Sequence, residues 1–289
     1  MPHEPARSAP RDRLLPVTRW LAAFLLPFLA VAFILLYVWP DRTDRLFAWT
    51  IHPPLTAMLL AAAYLGGLLY FGEFLRAAHW TQVKTGFPAI LTFATLLGLA
   101  TALHWDRFHP GHVSFIAWAG LYFSTPFLIL GVWLVNARAA GGDGPAPDDR
   151  RLPPAWRWVL LAVGLATLGV AVALWTRPTV IIPLWPWTLT PLTAKVVGAL
   201  FSLPGLVGLA TARDGRWEAA RLVVQAQTLS TAAILIGVLR DQGALDWSRL
   251  AAWGFVGGLG LNFVLYAVLL LVMVTSRRAG TPGVASGSD

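Results

Sequence analysis

Long apolar runs separated by short charged loops recur along the whole chain, and they leave few architectures open. They cover Trp20–Trp39, Pro54–Ala77, Phe87–Leu103, Val113–Asn136, Trp156–Trp175, Pro191–Ala212, Ala219–Leu239 and Leu250–Thr275. A helix needs about 20 apolar residues to cross bilayer hydrocarbon, so each run is predicted to be a transmembrane helix. The third run is short and the seventh is polar. Only 12% of the 289 residues are charged, against about 25% in soluble domains. The mean hydropathy is +0.63. The runs lack the period-two alternation of barrel strands and are too long for them. Pro27, Pro126 and Pro204 fall inside runs, where neighbouring groups in a bundle satisfy the freed carbonyls. Arg7, Arg11, Arg13 and Arg19 precede the first run, which exceeds a cleavable leader's apolar core and reads as an uncleaved helix.

A second pattern overlies the first. Trp49-Thr50-Ile51 followed by Pro54-Leu55-Thr56-Ala57 returns as Trp187-Thr188-Leu189 followed by Pro191-Leu192-Thr193-Ala194. Each copy leads to a charged-Trp pair, His79-Trp80 or Arg216-Trp217. Pro40 aligns with Pro178, Trp105 and Arg107 with Trp247 and Arg249, Trp118 with Trp253, and Ala137-Arg138 with Arg277-Arg278. The expected fold is all-α: a polytopic bundle of eight transmembrane helices, formed as a parallel duplication of a four-helix unit. An even helix count points both units the same way, with a pseudo-twofold axis along the membrane normal.

The organisation expected is a basic tail over residues 1–19, a first block over 20–138 and a Gly/Pro/Asp linker over 139–155. A second block follows over 156–278, then a disordered tail over 279–289. Gly254 and Gly258, with Gly257 and Gly260, form a GxxxG-type face, and Ala62 with Gly66 a related one, both expected at helix contacts.

Arginine and lysine placement sets the expected orientation. Arg7 to Arg19, Arg76, Lys84, Arg138, Arg150, Arg151, Arg157, Arg213, Arg216, Arg221, Arg277 and Arg278 share one side. Arg42, Arg45, Arg107, Arg177, Arg240 and Arg249 share the other. The positive-inside rule then makes both termini cytoplasmic. The chain resembles a bacterial polytopic membrane protein, which implies the inner (plasma) membrane. The net charge of +8 is ascribed to inner loops facing anionic lipid, with no nucleic-acid motif beside it. Cysteine is absent, so disulfides and thiolate chemistry are excluded.

Three groups of residues are candidates for function. Trp49, Thr50, Pro54, Thr56 and Trp187, Thr188, Pro191, Thr193 are expected at the outer interface, the indoles among headgroups, the Thr50 or Thr188 hydroxyls as caps, and the prolines in the first helical turn. They alternatively form two half-sites for a headgroup or small polar molecule. Lys195, Gln225, Gln227, Thr228, Thr231 and Asn262 are a candidate polar pocket, or else interhelical hydrogen-bonding groups. Lys195 lies one turn inside its helix, so its amine either snorkels outward or holds an anion. His52, His104, His109 and His112 lie in outer regions near Asp106, with spacing that defines no metal site. A Glu73–Arg76 helical pair is expected.

No cofactor and no bound metal are expected. Expected partners are membrane lipids, a small polar or anionic ligand, and a homo-oligomeric or membrane-protein partner. The functional expectation is a small-solute or lipid transporter whose blocks move against each other around a shared interface. The alternatives are a noncatalytic membrane assembly or sensory component, and a membrane enzyme centred on the outer histidines.

Overall fold

The computed structural model describes residues 12–140 and 150–279, with side chains as far as residue 275. The expected basic tail and linker fall largely outside these residues, and the final tail almost entirely. Among the described residues there is no strand, only three isolated backbone bridges. The long helices are α1 (Pro16–Val38), α2 (Pro54–Phe74), α3 (Phe87–Leu103), α4 (Val113–Ala139), α5 (Pro154–Thr176), α6 (Pro191–Asp214), α7 (Trp217–Arg240) and α8 (Leu250–Ala279). All eight are long and apolar enough to cross a bilayer, as in a multi-pass membrane protein.

Proline decides where four of them begin. Pro16, Pro54, Pro154 and Pro191 are the first helical residues, where a missing N–H costs nothing and the fixed φ suits the helix. α1 and α5 therefore start ahead of Trp20 and Trp156. Helix continues through Pro27, Pro126 and Pro204. α6 stops at Gly215, whose φ of 69° is the left-handed conformation that favours glycine.

Helices α2, α3, α6 and α7 form the centre, with α2 packed on α7 and α3 on α6. α1 covers α2, α4 covers α3, α5 covers α6 and α8 covers α7. Burial follows this order: 67% of the most apolar stretch of α2 is inside the protein, against 11% for α8.

Glycine brings particular pairs together. A Cβ at Gly208 would stand 2.6 Å from the Leu160 carbonyl oxygen, and one at Gly164 2.9 Å from that of Gly205. Backbones this close gain dispersion contact that hydrophobic burial cannot supply between helices in lipid. Gly66 faces the Ser230 side chain in the same way between α2 and α7. The expected packing face on α8 is corrected: a Cβ at Gly254, Gly257, Gly258 or Gly260 would meet nothing within 4 Å. α8 is instead fastened by Tyr266, Leu269 and Met273 against Leu152, Leu160 and Trp217.

Backbone bonds in the loops recur at a fixed spacing. At the basic end, Leu14 N–H donates to Ala78 and Trp80 N–H to Asp12, both at 2.9 Å. Leu152 N–H donates to Gly215 at 2.9 Å and Trp217 N–H to Arg150 at 2.8 Å. At the opposite, motif end, His109 N–H donates to Ala48 at 2.9 Å and Asp246 N–H to Pro186 at 2.8 Å. Corresponding residues are 138 apart before α2 and α6 begin, and 137 apart afterwards. At the same spacing Trp118 falls opposite Phe255 and Trp105 opposite Gln242, whereas the match by residue type pairs Trp118 with Trp253 and Trp105 with Trp247. Ring packing follows the same register: Trp118 lies 4.7 Å from Trp49, and Phe255 lies 4.8 Å from Trp187.

Candidate functional site

The tryptophans of the repeated motif lie inside the protein rather than among headgroups. Trp49 and Trp187 are 2% and 3% exposed. Trp49 packs with Phe47, Phe108 and Trp118, and Trp187 with Trp185 and Phe255. The expectation of an interfacial belt is thus overturned here, because each indole fills the space beneath its own loop. Thr50 and Thr188 are exposed and cap no helix. Thr190 caps α6 by accepting from Thr193 N–H at 3.2 Å, and Asp241, the residue after α7, accepts from Leu55 N–H at the start of α2 at 2.9 Å. Pro54 and Pro191 occupy the first turn as expected. Thr56 and Thr193 are buried. Trp187 donates its indole N–H to the Thr56 hydroxyl at 2.9 Å, while Thr193 bonds Thr190 and the Trp49 indole N–H has no partner.

The histidines stand apart from one another in their contacts. His52 is exposed. His104 Nδ1 lies 3.2 Å from the Ala100 carbonyl, His109 Nε2 3.4 Å from the Thr50 hydroxyl, and His112 caps α4 through Ser114. Among the described residues no three His, Asp or Glu side chains gather as a metal-holding group. Glu73 pairs with Arg76 at 3.7 Å.

The principal concave feature lies between the two sets of four helices. A cavity of about 650 Å³ is bordered by residues from all eight of them. That volume falls within the ~300–1,000 Å³ typical of small-molecule sites. Its wall is largely Leu, Ile, Val, Ala, Phe, Tyr and Gly, and it includes no Asp, Glu, Lys, Arg or His. Moving a charge into such surroundings costs several kcal/mol unless a partner is supplied. The cavity therefore suits an apolar or uncharged molecule.

Of the expected polar pocket, Gln227, Thr231 and Asn262 line this cavity. Lys195, Gln225 and Thr228 do not. The Lys195 amine donates to the Trp175 carbonyl at 3.0 Å and sits 4.6 Å from that indole's centre, so it closes the end of α5. Gln225 lies at the basic end in a smaller cavity of about 240 Å³ with Glu73, Arg76, Glu218 and Arg221. The Thr228 hydroxyl donates to the Val224 carbonyl at 2.8 Å within its own helix.

Three lining residues carry a buried polar atom without a partner: Thr125 Oγ1 on α4, Trp185 Nε1 ahead of α6 and Asn262 Oδ1 on α8. Leaving such an atom unmatched costs ~1–3 kcal/mol. Thr125 and Asn262 are 137 apart, the spacing of the loop hydrogen bonds. Thr125 was not singled out in the sequence, since a threonine one residue before Pro126 reads as ordinary helix. In the same wall Tyr64 and Tyr122 share a buried hydroxyl–hydroxyl bond of 2.8 Å.

Compared with family models, curated proteins and solved structures, the chain matches none.

Proposed function

We propose that this protein binds a lipid-like, uncharged molecule within the bilayer and moves it across the membrane. The carrying observation is the large apolar cavity between the two helix sets, whose wall holds no charged side chain. The reading narrows the expectation of a small-solute or lipid transporter, because a polar or anionic solute finds no counter-charge there. The chain is read as a parallel duplication of a four-helix unit, supported by the recurring loop bonds and by the paired contacts α2–α7 and α3–α6. Rocking of one unit on the other along those contacts would expose the cavity to either leaflet. Both termini are placed in the cytoplasm of a bacterial cell, on the charge bias of the loops.

The test is reconstitution into liposomes with fluorescent neutral and anionic lipid analogues, followed by chemical quenching of the outer leaflet. Faster transfer of the neutral analogue than in protein-free vesicles is expected. Transfer no faster than in those vesicles, with no lipid recovered by mass spectrometry from the purified protein, would remove the reading. A noncatalytic assembly component is the second reading, favoured by the unpacked glycine face of α8. Site-specific crosslinking from that face to another membrane protein would support it.

A further inference from the structure

α8 is the least buried of the eight helices that border the cavity. Its Gly254, Gly258 and Leu261 line the cavity and are exposed. A Cβ at either glycine would meet nothing within 4 Å. The corresponding edge of the first four helices is closed: α1 touches α4 directly, and Asn136 of α4 donates to Thr18 of α1 at 2.8 Å. α5 and α8 share a cluster of Leu160, Tyr266 and Leu269 toward the basic end, and α8 otherwise packs on α7. α8 is long and apolar enough to cross a bilayer, and on that reading an opening along it faces hydrocarbon.

Hydrogen-bond accounting next to that opening specifies what is admitted. The Thr231 hydroxyl donates its single proton to the Gln227 carbonyl at 2.8 Å. Its oxygen is then free only to accept, and Asn262 Nδ2 points at it from 3.5 Å. That fixes the orientation of the amide and leaves Asn262 Oδ1 as a buried acceptor with no donor. Thr125, which is 5% exposed, and Trp185, which is 8% exposed, hold the other unmatched atoms of the wall, a hydroxyl and an indole N–H. The hydroxyl either donates or accepts and the indole takes any acceptor, alcohol and ether alike, so neither discriminates. Asn262 does, because a ligand satisfies it only by bringing an O–H or N–H, and the uncharged wall excludes an ammonium.

We infer that the cavity takes a neutral, hydroxyl-bearing amphiphile that slides in from the bilayer through the α5–α8 opening and donates its hydroxyl proton to Asn262 Oδ1. This rests on the lipid-binding reading above. A long-chain alcohol and a diacylglycerol carry the same chemistry, and the experiment separates them.

The test uses the full-length protein in nanodiscs with a diazirine-bearing hexadecanol, its O-methyl ether and the matching hexadecanoic acid at neutral pH. The alcohol is expected to label peptides of α7 and α8, with apparent affinity about tenfold above the ether, equivalent to ~1.4 kcal/mol. The acid is expected to bind more weakly than the alcohol. Asn262→Leu should bring the alcohol down to the ether and leave the ether unchanged. Competition by unlabelled hexadecanol or by dioleoylglycerol identifies a single-chain or a glycerolipid source, and either supports the inference. Equal binding of alcohol and ether to the wild-type protein overturns the donor requirement while leaving lipid binding intact, and that comparison needs no variant. A parallel loss of both probes in Asn262→Leu, or tighter binding of the acid, also overturns it. Binding of none of the probes overturns the lipid-binding reading as well.

Discussion

The first and last four helices use similar contacts and close them differently. In α1–α4 the cavity side carries Tyr64 hydrogen-bonded to Tyr122, and the edge is tied by Asn136 and Thr18. At the 137-residue spacing, Tyr64 and Tyr122 give way to Phe201 and Leu259, which share no hydrogen bond. The indole N–H of Trp118 is held by the Thr101 hydroxyl at 2.8 Å, whereas the corresponding pair is Phe255 and Val238. Conversely, α5 and α6 meet backbone to backbone through Gly164, Gly205 and Gly208, where α1 and α2 carry Leu26 and Phe71 at the positions of Gly164 and Gly208. One set is fixed by polar bonds along its rim. The other concentrates its packing in one helix pair and leaves its final helix thinly covered. The last set is tied at the basic end as well, where Arg150 donates to the Met273 carbonyl of α8 at 3.3 Å.

The largest test of this contrast is Gly208→Leu. Its side chain would be driven into the Leu160 carbonyl, which cannot yield as a side chain can, so a loss toward the upper end of ~1–3 kcal/mol is expected in thermal unfolding of the purified protein. Gly169→Leu on α5, where a Cβ meets nothing within 4 Å, should unfold like wild type. If both lower the midpoint equally, close α5–α6 packing is not what distinguishes the second set.

A smaller effect is expected across the boundary between the sets. Thr56→Val strands the buried Trp187 indole N–H and should cost ~1–3 kcal/mol by chemical denaturation. Trp49→Phe strands no donor, so its loss reports only the cavity left among Phe47, Phe108 and Trp118. No loss in Thr56→Val would sink the role assigned to the Trp187 indole bond. Tyr64→Phe should cost ~0.5–1.5 kcal/mol, since it gives the first set the side chain that the second carries as Phe201. No change there would mean that the Tyr64–Tyr122 bond contributes nothing to closing the first set.

The weakest effect concerns the loop at the motif end. The Ser248 hydroxyl holds the Asp246 carboxyl below its ordinary value; desolvation, next in size, opposes it, and Ser248 N–H and Arg249 add to the lowering. Its contribution is therefore present above the ordinary carboxylate range and is lost as pH falls through the lowered value, below about pH 4. The group is exposed, so Asp246→Asn should flatten the acid limb of the stability profile only slightly. His109 occupies the corresponding place in the other set. A large acid effect from Asp246→Asn would show that this loop holds the second set more firmly than its packing implies.

Much of this was legible in the residues. Hydropathy located all eight helices, with ends shifted by two to four residues at Pro16, Pro154 and Trp217, because loop residues continue a helix when a proline or a cap permits. The Trp-Thr and Pro-Leu-Thr-Ala motif gave the 138-to-137 spacing that the loop hydrogen bonds follow. The match of Trp105 with Trp247 and of Trp118 with Trp253 departs from that spacing, since residue type does not record which ring a tryptophan packs on. Gln227, Thr231 and Asn262 were identifiable because polar groups in a membrane helix need partners. Thr125 escaped notice, since only the shape of the cavity shows that its hydroxyl lacks one.

Composition and periodicity alone established long apolar helices, their number and the motif they share, since these follow from transfer free energy and chain length. Tertiary structure decided which glycines are contacts and which are openings, and which tryptophans are core. It also decided which polar atoms go unanswered, because each of these depends on what stands opposite, and sequence spacing does not record that.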